Sequence, residues 1–275
     1  MKTSNRHPDS PKRLKHNRWL KTLLIGAVLY IITLYTVYYT GNPNLFMTLV
    51  ILGNFLVPVS FVIFFFERRE RFSISMTSTA LCFLYGGLLG TVTASILEPF
   101  FIDNLTFGSS FMVGVIEEFA KIIGVIIIAK KRNYNSYMDG IILGAAAGMG
   151  FAAFESTGYA FTAFIGSGGS LSYTVMITLL RGLTSPVGHG TWTAIFSGVL
   201  LNDSVAGKIN ITRKVVYAYL TVVVLHGLWN GLPFLIQPLF PTSFSVWWGH
   251  ILVGVTGLII LFRQWQTAKR ASYLS

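Results

Sequence analysis

Charge is scarce in this sequence: Asp, Glu, Lys and Arg together make up 11% of 275 residues, against roughly 25% in a soluble domain. A chain so poor in charge cannot cover a water-facing surface, and a soluble globular protein is excluded. Cysteine is almost absent. The single Cys82 excludes an internal disulfide and a cysteine-rich metal cluster, and in its apolar run it reads as a small core residue. A His-Glu-x-x-His helix, the mark of many soluble zinc proteases, is also missing. No small-residue cleavage site follows the first apolar run, which therefore reads as a retained span and not a signal peptide.

Long apolar runs are plentiful. With about 20 residues needed to cross the hydrocarbon, the pattern predicts an all-α, polytopic transmembrane bundle of about eight spanning helices. They fall near Trp19–Tyr39, Leu45–Phe66, Ile74–Leu97, Ser110–Ala129, Gly140–Ile165, Leu171–Leu201, Val215–Ile236 and Phe244–Phe262. Whether Leu171–Thr184 spans or lies at the outer interface stays open. The expected organisation is a basic tail over 1–18, one membrane domain over 19–263 with its functional core at about 110–236, and a second tail over 264–275.

The net charge of +11 raises nucleic acid as a partner, but the positions of the basic residues exclude it. Lys2, Arg6, Lys12, Arg13, Lys15, Arg18 and Lys21 precede or begin the first span. Arg68, Arg69 and Arg71, then Lys130, Lys131 and Arg132, then Lys208, Arg213 and Lys214, and finally Arg263, Lys269 and Arg270 occupy alternate loops and the last tail. The intervening loops, such as Gly41–Asn44, Glu98–Gly108, Gly166–Ser170 and Gln237–Ser243, carry no Lys or Arg. The positive-inside rule places both termini in the cytoplasm of a plasma membrane. The loop glutamate Glu98 and Asp103 are expected outside and solvated.

Ionisable residues inside spans are costly and mark a protein interior or a watery cavity. Here they are Glu117, Glu118, Lys121, Glu155, Arg181, His189 and His226. Counted from the cytoplasmic ends, the glutamates and histidines lie about 11–15 residues deep, some 17–22 Å at the helical rise. Four helices thus present acid or imidazole at one level. Glu117 and Lys121 share a face at i,i+4, so the lysine can neutralise one glutamate and leave the other for chemistry. Gly140, Gly144 and Gly148 form a small-residue stripe that Phe151 and Glu155 continue, aiming Glu155 at a neighbouring helix. Ser185-Pro186 reads as an N-cap and first helical position, so the sixth span is expected to break there. His189 then sits in the first turn of a half-helix, where the dipole favours a neutral imidazole able to ligate a metal. Asn230, four residues after His226, can orient water or an oxyanion.

Blander roles suit the rest. Arg181 is read as structural, bonding carbonyls released by the break or reaching the interface. Asp139 is read as the N-cap of the fifth span, and His250 as interfacial. Trp19, Tyr38 and Trp247 form an ordinary aromatic belt. Asn104-Leu105-Thr106 is a weak outer-side glycosylation pattern.

Glu117-Glu118-x-x-Lys121, Phe151-x-x-x-Glu155, His189 in His-Gly-Thr-Trp-Thr, and His226-x-x-x-Asn230 follow one another in separate spans between about Gly114 and Gly231. Together they resemble the PrsW family of intramembrane proteases, within the wider group of CAAX-processing and abortive-infection membrane proteases. Relatives in the wider group carry histidine where this chain has Glu155, and His189 is followed at i+4 by Thr193 rather than Asp or Asn.

The resemblance implies hydrolysis of membrane-anchored proteins, a regulator such as an anti-sigma factor being the expected substrate, in a bacterial membrane. It implies catalytic roles for Glu117 or Glu118, Glu155, His189 and His226, with Asn230 beside them. Two mechanisms fit. In the favoured one a divalent ion, zinc for preference, is held by Glu118, Glu155, His189 and His226 and activates water. In the other, a glutamate activates water directly. The rival readings are a secondary transporter or channel, which buried carboxylates and a broken helix also suit, and a non-catalytic membrane scaffold or immunity protein of the same fold. No convincing internal repeat supports the transporter.

Overall fold

The computed structural model describes residues 17–69, 74–205, 208–240 and 245–274. Lys2 to Lys15 in the first tail, Arg71 in the second loop and Phe244 at the start of the last expected span lie outside them. The described chain is helical: α1 (Arg18–Thr40), α2 (Pro43–Glu67), α3 (Met76–Phe101), α4 (Ser109–Arg132), α5 (Tyr137–Gly166), α6 (Leu171–Thr184), a wide turn over Pro186–Gly190, α7 (Thr191–Asn202), α8 (Arg213–Leu239) and α9 (Ser245–Leu274).

Among the described residues, α1, α2, α3, α5, α8 and α9 are long and apolar enough to cross a membrane. The chain is a multi-pass membrane protein. Two of the eight expected spans differ from that pattern for physical reasons. Helix α4 has the length but carries Glu117, Glu118 and Lys121 within one apolar stretch. The sixth span is two short helices, of 14 and 12 residues, joined at the break. Helix α9 continues past Phe262, so 264–274 is helical. Helix α3 likewise runs on through Phe101, which puts Glu98 on its last turn, half-buried, and not in the loop.

Helix α5 is the axis of the bundle. Its Gly- and Ala-rich faces let backbones approach, and almost all of its middle is buried. Two glycines position the site. At Gly148 a Cβ would run into the carbonyl oxygen of His189, so only glycine lets the break lie against α5 at this level. At Gly114 a Cβ would lie 2.9 Å from the Val223 carbonyl oxygen and 3.2 Å from His226 Cβ, so this glycine draws α8 against α4. The Tyr219 hydroxyl donates to the Val115 carbonyl at 2.6 Å along the same seam. Cys82 is fully buried, its thiol facing the Leu143 carbonyl, as a small core residue should be.

The N-cap of α5 is Ser136, whose Oγ accepts from the Asp139 amide at 3.0 Å. Asp139 is therefore not the cap but a first-turn residue, its charge complementing the helix dipole. Ser185 does not cap a helix either. It has helical angles, and its Oγ donates to the Gly182 carbonyl at 3.0 Å. The break lies three residues later, where Gly188 adopts φ −102° and ψ −109° inside the wide turn.

Candidate active site

The slab of ionisable groups expected from residue counting closes into one cluster. Lys121 Nζ donates to Glu117 Oε2 at 3.0 Å and to Glu118 Oε1 at 2.8 Å, so the lysine bridges both glutamates and does not leave one unpaired. It also meets His189 Nδ1 at 2.8 Å and sits 4.3 Å from the centre of the Phe151 ring. An ammonium only donates, so Nδ1 accepts and the His189 proton lies on Nε2. That nitrogen faces Glu155 Oε2 at 3.3 Å.

Glu118 is the most firmly held member. Its Oε1 also pairs with His226 Nδ1 at 3.0 Å, and its Oε2 accepts from Thr193 Oγ1 at 3.1 Å. Glu118 and Lys121 are wholly buried, whereas the side chains of His189 and Glu155 are 16% and 18% exposed. The accessible edge of the cluster is therefore the His189–Glu155 edge. A cavity of about 40 Å³ opens there, lined by Ser156, Arg181, Ser185, Gly188, His189 and Trp192 among others. Aromatic rings form part of its wall: Trp192 lies 4.8 Å from His226 and 5.7 Å from Trp229.

Glu117, His189 and His226 could hold a metal ion, their ligand atoms all lying within 4.8 Å of one another. Glu117 Oε2 is 3.8 Å from His189 Nδ1 and 3.6 Å from His226 Nε2. Ligands about 2.1 Å from a tetrahedral ion stand about 3.4 Å apart, so the two Glu117 pairs need only a small closure, while the two imidazoles, within the 4.8 Å limit of the group, have further to close. The remaining ring nitrogens strengthen the fit. His226 Nδ1 meets Glu118 and His189 Nε2 faces Glu155, the carboxylate backing that metal-binding histidines usually have. The geometry thus groups Glu117 with the imidazoles and puts Glu118 and Glu155 behind them, in place of the expected set of Glu118, Glu155, His189 and His226.

Arg181 meets side chains of α5. Its Nη2 donates to Glu155 Oε2 at 2.6 Å, its Nε donates to Ser156 Oγ at 3.0 Å, and its guanidinium lies 3.8 Å from the centre of the Tyr159 ring. Thr193 and Ser156 also enter the network without having been singled out as site residues. Each had a signal, Thr193 at i+4 from His189 and Ser156 next to Glu155. Asn230, by contrast, is half-buried and enters none of the cluster's hydrogen bonds among the described residues. His250 packs its ring 4.4 Å from that of Trp229, which carries the aromatic wall out to α9.

A family model described as PrsW family intramembrane metalloprotease matches residues 75–262, more than half of the chain and every member of the cluster. The chain belongs to this family. Searches of curated proteins and of solved structures give no match.

Proposed function

We propose that this chain hydrolyses peptide bonds of membrane-anchored proteins at the cluster of Glu117, Glu118, Glu155, His189 and His226, with both termini in the cytoplasm of a bacterial membrane. The observation that carries the reading is the convergence of two imidazoles and Glu117 within 4.8 Å, each imidazole facing a further carboxylate. A transporter or scaffold has no need of that arrangement, and family membership supports the protease over both.

A divalent ion, zinc for preference, held by Glu117, His189 and His226 would polarise the scissile carbonyl and make bound water acidic. The chain's own residues do the rest. Glu118, fixed by Lys121 and Thr193, locks the His226 ring with Nε2 turned towards Glu117. Glu117 uses Oε2 in the cluster, and its Oε1, which makes no hydrogen bond among the described residues, takes a proton from the attacking water. The proton that Glu117 takes passes on to the leaving amine as the C–N bond breaks, while Glu155 stands at the accessible edge. Arg181 keeps Glu155 turned towards His189. The hold of Lys121 on His189 Nδ1 favours a second arrangement without an ion, in which Glu117 activates water directly and Lys121 supplies the positive charge.

The substrate we favour, from the family resemblance, is a single-span regulator such as an anti-sigma factor, and an unwound segment of it would have to reach a cavity of about 40 Å³. The test is cleavage of a tagged single-span reporter in proteoliposomes by the wild type and by His226→Ala. Products from the wild type alone support the proposal. Equal cleavage by a folded His226→Ala would remove it.

A further inference from the structure

Lys121 stands in an unusual place for a buried lysine. Its ammonium is wholly buried and contacts two of the three atoms best placed to ligate an ion, Glu117 Oε2 at 3.0 Å and His189 Nδ1 at 2.8 Å. A nitrogen lone pair shared with an ammonium proton cannot also be given to a metal. The His189 ring has no spare nitrogen, since Nε2 faces Glu155. The ligand set described above and the Lys121 contacts therefore cannot both be complete.

The surroundings offer the lysine a second position. Two of its partners lie outside the ligand set: Glu118 Oε1 at 2.8 Å and the face of Phe151 at 4.3 Å. Rotation about the end of the side chain would release Glu117 and His189 while keeping an anion and an aromatic face against the ammonium, so its charge would stay compensated.

We infer that Lys121 is a placeholder cation: its ammonium and a divalent ion bind Glu117 and His189 alternately. Without metal, Lys121 keeps two carboxylates and an imidazole together that would otherwise repel or lose their partners. With metal, it withdraws to Glu118 and Phe151. This rests on reading the cluster as the metal centre of the protease, yet it makes a claim about affinity that catalysis does not enter. Metal binding must break two charge-assisted hydrogen bonds, so the site binds metal more weakly than its donors alone would.

The experiment measures zinc affinity by competition with a chromophoric chelator on purified wild type and Lys121→Met in detergent. Methionine keeps an unbranched apolar stem and removes the cation. The inference expects Lys121→Met to bind zinc at least about tenfold more tightly, or to bind it where the wild type does not. Should Lys121→Met prove unstable, Glu118→Gln/Lys121→Met is compared with Glu118→Gln, with the same expectation. Equal or weaker binding in the lysine variants, with zinc bound by the wild type, overturns the inference and leaves the metal reading standing. No binding by any folded variant overturns both. Unfolding of both lysine variants would make Lys121 a fixed structural counter-ion and overturn the exchange.

Discussion

Arg181 Nη2 lies 2.6 Å from Glu155 Oε2, the same oxygen that faces His189 Nε2 at 3.3 Å. Helix α6, before the break, thereby holds a carboxylate of α5 against the histidine after it. Arg181→Gln leaves Glu155 without its counter-charge. Complete burial would make that cost about 3–5 kcal/mol, but these side chains are 27% and 18% exposed, so about 1–3 kcal/mol is expected. Thermal unfolding in detergent should show the loss. Arg181→Gln/Glu155→Gln should recover part of it, since the two effects are coupled.

Gly148→Ala should be damaging out of proportion to one methyl group. The added carbon meets the His189 carbonyl, so α5 and the break must separate, at about 1–3 kcal/mol. Gly158→Ala is the control: nothing lies within 4 Å of its Cβ position, and alanine suits a helix better than glycine. Melting temperatures should fall for the first and hold or rise for the second.

Thr193→Val removes the hydroxyl that donates to Glu118 Oε2 at 3.1 Å while keeping the shape. A buried charged acceptor losing one donor costs about 1–3 kcal/mol. Thr193→Ser should retain most of the stability and cleavage. Equal behaviour of Val and Ser would show that the hydroxyl is not used.

His226→Ala and Asn230→Ala should separate sharply. Loss of His226 removes a member of the cluster, and cleavage should drop by about 10²–10⁴-fold. Asn230 enters none of the cluster's hydrogen bonds among the described residues, so its removal should cost less than about tenfold. Initial rates on one reporter decide it.

The cluster was legible because charge in an apolar run is conspicuous, and because counting residues along straight helices gives depth. Glu117, Glu118, Glu155, His189 and His226 all meet as that depth predicts. The partner of Arg181 was missed because the arginine was weighed as a lone charge near an outer end. Its partner Glu155 lies on the neighbouring antiparallel helix, a pairing that local spacing does not reveal. Pro186 announced a break, but its site depended on which residue could adopt non-helical angles, and Gly188 lies two positions further on. The cap of α5 was read as Asp139, whereas the backbone path starts the helix earlier and gives the cap to Ser136. The bridging by Lys121 was half visible. The i,i+4 contact to Glu117 was read, while the i,i+3 contact to Glu118 and the reach to His189 depend on side-chain rotamers and on the packing of α4 against the break.

The most direct test of the proteolytic centre is cleavage of the single-span reporter in ¹⁸O-enriched water, with products read by mass spectrometry. Wild-type protein should yield a new carboxyl terminus within the reporter's hydrophobic segment, carrying ¹⁸O, and folded Glu117→Gln and His189→Gln variants should yield none. The same labelled product from either variant, or cuts confined to the reporter's soluble flanks, would contradict the account.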